Sequence, residues 1–137
     1  MNKTQVIEAF NTHFMEFVKD IEFVVPNDND IISSRKTLNK TLVLMPKMLV
    51  RMFQESFVKF YRTQIENGDL DFFINNDYKK THGYKDNDDP WILEKIDCLR
   101  EPVRNMTDKD KENVIKYLQN LTKLSDLYIS LRKINNK

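Results

Sequence analysis

Apolar residues recur every three or four positions through both ends of the chain. In residues 4–25 they share one helical face, at Val6, Ile7, Phe10, Phe14, Phe17, Val18 and Ile21. In residues 107–134 the same spacing returns at Val114, Tyr117, Leu121, Leu124, Tyr128 and Leu131. This recurrence matches the 3.6-residue period of an α-helix and not the two-residue period of a strand. The pattern therefore predicts a long amphipathic helix at each end, with Thr4 and Thr107 as the expected N-caps.

Prolines divide the residues that follow the first helix. Pro26 ends that helix, and NDND at 27–30 is expected to cap a second helix that has Met45 on its apolar face. A third helix is predicted from Pro46 to Gly68, because proline suits the first turn of a helix and glycine suits its C-terminal cap. One long helix kinked at Pro46 is the alternative.

Residues 68–89 have no sustained period. LDFFI at 70–74 is predicted to be a helical turn capped by Asp69, with a short strand as the alternative, and its apolar side chains are expected to be buried. The remainder is predicted to be a loop. Asp89-Pro90 then has the order that starts a further helix, which Pro102 kinks or ends.

Together these elements predict an all-α fold. We expect a single helical domain over residues 1–137, built as a bundle of four to five helices with one long irregular loop at about 68–89. A chain of 137 residues buries roughly two-thirds of the surface that its unfolded form exposes, so a core needs no disulfide or metal. The one cysteine, and the lack of a segment like a signal peptide or membrane span, predict an intracellular protein that is not secreted and has no membrane partner.

The charges of the chain are nearly balanced, with 22 Lys and Arg against 21 Asp and Glu. The net charge of +1 gives no overall attraction to nucleic acid, membranes or acidic substrates. Residues 31–66, however, carry seven cations against two acids. The candidate nucleic-acid-binding residues fall there in one polar sector of the third helix: Lys47, Arg51, Lys59 and Arg62. A solvated face paired with acids of neighbouring helices is the competing interpretation.

Motifs for catalysis or metal binding are missing from the sequence. The two histidines, His13 and His82, are far apart, and the Asp-Asn clusters lack the spacing of a calcium loop. Cys98 lies between apolar residues of a predicted helix and is expected to be buried. We therefore expect no catalytic, cofactor-binding or metal-ligating residue, no cofactor and no enzymatic activity. An acidic pocket at 69–77 is the remaining enzymatic alternative.

Negative charge and aromatic rings occur together in and just after the loop, at Asp77, Tyr78, Tyr84, Asp86 and Trp91. Aromatic side chains with a polar tip are enriched in protein interfaces, so these residues are the candidate partner-binding site for an unidentified protein. The leading hypothesis is a non-enzymatic helical protein-interaction module, an adaptor or minor structural component. The alternative is a nucleic-acid-associated factor that uses the basic face at 35–62. Self-association through apolar surface on the last helix stays open.

Three stretches of the chain resemble small uncharacterised proteins of nucleocytoplasmic large DNA viruses, the giant viruses of algae and other protists. They are HFMEFVKDIEFVVPNDNDI at 13–31, GDLDFFINNDY at 68–78 and KYLQNLTKLSDLY at 116–128. The resemblance implies an intracellular viral protein, present in the host cytoplasm, a viral factory or the virion. That family has no assigned activity, so the resemblance transfers no functional residue to this chain.

Overall fold

The computed structural model describes residues 1–76 and 97–135 of the 137-residue chain. Its helices are α1 (Lys3–Val24), α2 (Asn29–Leu44), α3 (Met48–Phe53), α4 (Lys59–Glu66), α5 (Leu70–Asn75), α6 (Arg100–Arg104) and α7 (Asp108–Asn135), and a π-helical segment, π1 (Gln54–Val58), joins α3 to α4. The described residues contain no strand, which confirms the all-α prediction. With α3, π1 and α4 counted as one run they form six helices rather than four or five, because the short α5 stands inside the segment expected to be mostly irregular.

Three helices begin at the caps that the sequence predicts. The Asp28 carboxylate accepts hydrogen bonds from the first backbone amides of α2, at 3.0 and 3.1 Å. The Asp69 carboxylate accepts one from the Phe72 amide at 3.1 Å, which confirms a helical turn rather than a strand at the start of α5. The Thr107 hydroxyl accepts one from the Asp110 amide at 3.2 Å. Each cap satisfies a backbone donor that the helix itself leaves unpaired.

The predicted cap of α1, Thr4, is wrong. Asn2 is the N-cap, and it forms a reciprocal pair with Gln5 in which each side chain accepts from the other residue's backbone amide at 2.9 Å. This capping box satisfies two backbone donors at once, which places the start of the helix ahead of Thr4.

The two terminal helices form the main contact of the core. Every apolar residue predicted on the inner face of α1 is buried, from Val6 to Ile21. The C-terminal half of α1 meets the first half of α7, where the ring centroids of Phe17 and Tyr117 are 5.1 Å apart. Full burial of one such side chain stabilises the fold by about 1.5–3 kcal/mol relative to leaving it exposed. The long helices therefore supply much of the apolar core.

A π-helical turn interrupts the third predicted helix. Val50 and Val58 are buried in this run. Beside them, five buried side chains of α3, π1 and α4 follow one another at four-residue intervals: Leu49, Phe53, Phe57, Tyr61 and Ile65. An α-helix has 3.6 residues per turn, so this spacing would drift off one face. The wider turn of π1 and the non-helical conformation at Tyr61 (φ −125°, ψ 17°) take up the difference.

The joint between α2 and α3 is a break rather than a kink. Met45 has φ −137° and ψ 72°, because the residue before a proline is disfavoured in the helical region. The alternative of one helix through Pro46 is therefore wrong, and α3 begins at Met48 rather than at Pro46. α2 packs against α1 and buries Ile31 and Leu38, and Leu42 is partly buried against the core, whereas Val43 and Leu44 at its end are exposed.

Two arginines hold α5 against α6. The Ile74 backbone carbonyl accepts hydrogen bonds from Arg100 Nε and Arg104 Nη2, both at 2.9 Å. The same arginines are ion-paired with Asp97 and Glu101, one turn earlier in each case. Phe73 and Ile74 are buried and Leu70 and Phe72 half-buried, as predicted for this segment.

Candidate functional site

All five candidate partner-binding residues lie outside the described residues. These residues belong to the range 77–96: Asp77, Tyr78, Tyr84, Asp86 and Trp91. The prediction that they bind a protein partner stays a prediction. The described residues nevertheless contain a different surface with the character of a binding site.

This second surface is the α2–α3 corner, which consists of Val43, Leu44 and Met45. Their exposed fractions are 77%, 78% and 52%. The sequence prediction placed Met45 on the buried face of α2, and that placement is wrong because α2 ends before Met45 can reach the core. Single exposed apolar residues are ordinary on protein surfaces. Large apolar residues that are exposed side by side form a patch, and such patches often mark a site of interaction.

A groove begins at Met45 and continues along α3. The methionine groove is lined by Met45, Pro46, Lys47, Met48, Arg51, Met52 and Glu55. It is open to solvent and has a volume of about 500 Å³, within the range of small ligand sites. Three of its lining side chains are thioethers, which are flexible and polarisable and so adapt to apolar groups of varied shape.

Unpaired cations surround the corner and the groove. Lys40, Lys47 and Arg51 are exposed, and in the part of the chain that the structure describes none of them forms an ion pair. Arg35, in contrast, is paired with Glu22 of α1. Arg35 is therefore neutralised by an acid of α1, whereas the cations near the end of α2 and the start of α3 have no paired acid among the described residues, which the sequence could not show.

The candidate nucleic-acid-binding residues do not form one uniform basic face. Lys47 and Arg51 line the methionine groove, whereas Lys59 lies 5.8 Å from the centre of the Phe60 ring. Arg62 donates two hydrogen bonds of 2.8 Å to Asp126 of α7 and lies 3.7 Å from Glu66. The bonds to Asp126 are the main reason that the pKa of Arg62 is raised above its ordinary value. For Arg62 the structure therefore agrees with the alternative to nucleic-acid binding, in which the cation pairs with an acid of a neighbouring helix.

A cluster of polar side chains between α1 and α7 is a second candidate site, because it contains groups that could act as acids or bases. The Tyr117 hydroxyl donates a hydrogen bond to the Asp20 carboxylate, and the His13 ring lies 4.8 Å from the Tyr117 ring. Burial, the hydrogen bond to Asp20 and the charges of Asp20 and Glu16 raise the pKa of Tyr117 to about 12. A phenol that holds its proton so strongly is a poor acid at neutral pH. The cluster therefore links two helices, and sequence analysis missed it because Asp20 and Tyr117 are 97 positions apart.

A cavity in the apolar core is lined by residues of α1, α2, α3, π1, α5, α6 and α7. Its volume is about 60 Å³, below the roughly 150 Å³ of a cavity that accepts benzene. Among residues 1–76 and 97–135, no group of three or more His, Cys, Asp or Glu side chains is placed to hold a metal ion. Cys98 lies just before α6 and is exposed, so the expectation that it is buried is wrong.

Of the helices in the described ranges, none is both long enough and apolar enough to cross a bilayer.

Comparison with known protein families, with curated proteins and with solved structures finds no match to this chain.

One signal in the sequence could have located the corner. Val43 and Leu44 lie outside the apolar face that Ile31, Leu38 and Leu42 define on α2, and both are large and apolar. Two such residues on the polar side of a helix, directly before a proline break, indicate exposed apolar surface.

Proposed function

We propose that this protein is a non-enzymatic helical protein-interaction module and that it binds a protein partner at the α2–α3 corner. The exposure of Val43, Leu44 and Met45 is the observation that carries the proposal. Covering large apolar side chains on association is favourable by roughly 25 cal/mol for each Å² removed from water. Interfaces concentrate such residues at their centre and surround them with charge, which matches the cations beside the corner.

Site-specific photo-crosslinking tests the proposal. A benzophenone amino acid at position 44 is expected to capture a discrete protein from extracts of cells that make this protein, and excess unlabelled wild-type protein should abolish the adduct. Val43→Gln combined with Leu44→Gln should not compete, since both side chains are exposed and their replacement leaves the core intact. The same probe at position 23 is the matched control, because Phe23 is 86% exposed at the far end of α1. Adducts at position 44 that the double variant still abolishes would overturn the proposal.

A variant of the loop predicted from the sequence is the second unlabelled competitor in the same crosslinking experiment. Combined replacement of Tyr78, Tyr84 and Asp86 by serine is expected to weaken competition if the loop contributes to the same interface. Competition equal to that of the wild type would remove the loop from the interface and leave the corner as the binding surface.

The proposal includes a role as an adaptor or minor structural component of a large DNA virus. The three resembling stretches are its only support, and they imply the host cytoplasm, a viral factory or the virion as the location. Immunodetection in purified virions and in fractionated infected cells tests this part. Detection in neither sample would contradict it.

A nucleic-acid-associated factor is the second candidate, because Lys47 and Arg51 are exposed and unpaired with acids among the described residues. Fluorescence anisotropy with labelled duplex and single-stranded DNA and RNA tests it. Binding to phosphates weakens steeply as salt rises. Salt-sensitive binding that is lost in Lys47→Glu combined with Arg51→Glu, and kept in Val43→Gln combined with Leu44→Gln, would favour this candidate over the first.

A further inference from the structure

We propose that the occupant of the α2–α3 corner and the methionine groove is an acidic protein segment that carries apolar side chains. This inference rests on the proposed function and names the chemistry of the partner.

The charge of the surface selects an acidic partner. Lys40, Lys47 and Arg51 lie around the corner without an ion pair in the described ranges, and Glu55 is the acid that lines the groove. Three cations against one acid give the groove and the last turns of α2 a net charge of about +2. Complementary charge on a partner raises the association rate and suppresses partners of the wrong sign.

The apolar part of the surface selects a partner with apolar side chains. Val43 and Leu44 are exposed and directly precede Met45 in the chain, and Met45, Met48 and Met52 line the groove. Methionine-lined surfaces accept varied apolar side chains because the thioether can repack around each of them. A groove of about 500 Å³ has room for several side chains of a peptide segment.

Other occupants fit these observations less well. Two copies of the chain joined corner to corner would bring the same three cations together, and like charges in contact cost binding energy. A nucleic acid would use Lys47 and Arg51 but would gain little from Val43 and Leu44. An anionic membrane is flat, whereas the methionine side chains line a recess.

Selection from an unbiased library of displayed short peptides on the immobilised full chain tests the inference. Enriched peptides are expected to contain more Asp and Glu than Lys and Arg, together with Leu, Ile, Met or Phe. A synthetic copy of one enriched peptide should bind at least about tenfold more weakly to Val43→Gln/Leu44→Gln and to Lys47→Glu/Arg51→Glu. Phe23→Gln and Lys109→Glu/Lys116→Glu are the matched apolar and charge controls, because they change exposed residues away from the corner and should leave binding unchanged.

The arms of this experiment separate the inference from the proposed function. Peptides that need Val43 and Leu44 but show no excess of acids would overturn the inference and leave the proposed function standing. Peptides that bind every variant equally would overturn both.

Two further probes test the other occupants. Single-stranded RNA that binds through Lys47 and Arg51 and ignores Val43 and Leu44 would replace the inference with a nucleic-acid site. Vesicles of phosphatidylserine and phosphatidylcholine that bind more tightly than any enriched peptide, and depend on both pairs of residues, would replace it with a lipid surface.

Discussion

Arg62 on α4 and Asp126 on α7 are joined by two parallel hydrogen bonds, each 2.8 Å long. This fork is the strongest geometry available to an arginine and a carboxylate. It connects the middle of the chain to its last helix, and it withdraws one of the four candidate nucleic-acid-binding cations from the free surface.

Breaking this pair is expected to have a measurable but small effect on stability. Both side chains are about 40% exposed, so water and salt screen the attraction. A double-mutant cycle with Arg62→Gln and Asp126→Asn should give a coupling energy of about 0.5–1 kcal/mol in urea denaturation, falling as sodium chloride is added. Lys123→Gln, an exposed change on the same helix, should leave the stability unchanged. A coupling energy of zero at low salt would mean that the fork contributes nothing in solution.

The pKa of Tyr117 predicts a loss of stability at alkaline pH. It is raised to about 12, from an ordinary value of about 10. Between these two values the unfolded chain loses a proton that the folded chain keeps, so the free energy of unfolding should fall as pH rises from about 10 to about 12, and its contribution is fully present below about 10. Tyr117→Phe should flatten that decline when denaturation is followed at several pH values.

Tyr117→Phe is also expected to lower the stability at neutral pH. It removes the hydrogen bond to Asp20, which is expected to cost roughly 0.5–1.5 kcal/mol at neutral pH. Asp20→Asn should keep a hydrogen-bonding partner while lowering the pKa of Tyr117, as followed by phenolate absorbance. Equal alkaline slopes for the wild type and Tyr117→Phe would contradict the assignment of the decline to this residue.

Local signals made the helices of this fold predictable. The inner face of α1 repeats without interruption, and Asp28, Asp69 and Thr107 each sit directly before a helix. Periodicity and capping involve residues within one or two turns of each other, so a single sequence contains all the information they need.

Long-range relationships could not be read in the same way. Phe60 is about half exposed whereas its neighbour Tyr61 is buried, because π1 shifts the faces of the residues that follow it. The partner of Arg62 is 64 positions away, and nothing in either local sequence indicates the pairing. The exposure of the α2–α3 corner depends on how the end of α2 packs, and the period of apolar residues does not determine that packing.

Replacing Gly68 by a residue with a side chain is expected to lower the stability of the fold. Its φ is +65°, and the backbone amides of Gly68 and Asp69 bond to the carbonyls of Ile65 and Gln64, which together close the end of α4. A Cβ at Gly68 would meet Ile115 at an ordinary 3.5 Å, so the cost is conformational. Gly68→Ala should lower the free energy of unfolding by about 1–2 kcal/mol. Gly68→Asn should cost less, since asparagine tolerates this conformation, and equal costs for the two would contradict the assignment.

Phe53 and Phe23 form a matched pair that tests the core and the surface together. Phe53 is fully buried and contacts Phe10 and Phe57 with ring centroids 5.4 and 5.2 Å apart, whereas Phe23 is 86% exposed. Phe53→Ala removes apolar contacts and leaves a cavity, so it should cost about 3–5 kcal/mol in denaturant unfolding.

The same substitution at Phe23 should change the stability by less than about 0.5 kcal/mol, because the side chain is already in water. If Phe53→Ala does not fold, Phe53→Leu gives a smaller loss on the same scale and keeps the comparison measurable. Similar losses at the two positions would mean that residue 23 is covered in solution. That result would make the far end of α1 an interface of its own and would remove Phe23 as the control for the α2–α3 corner.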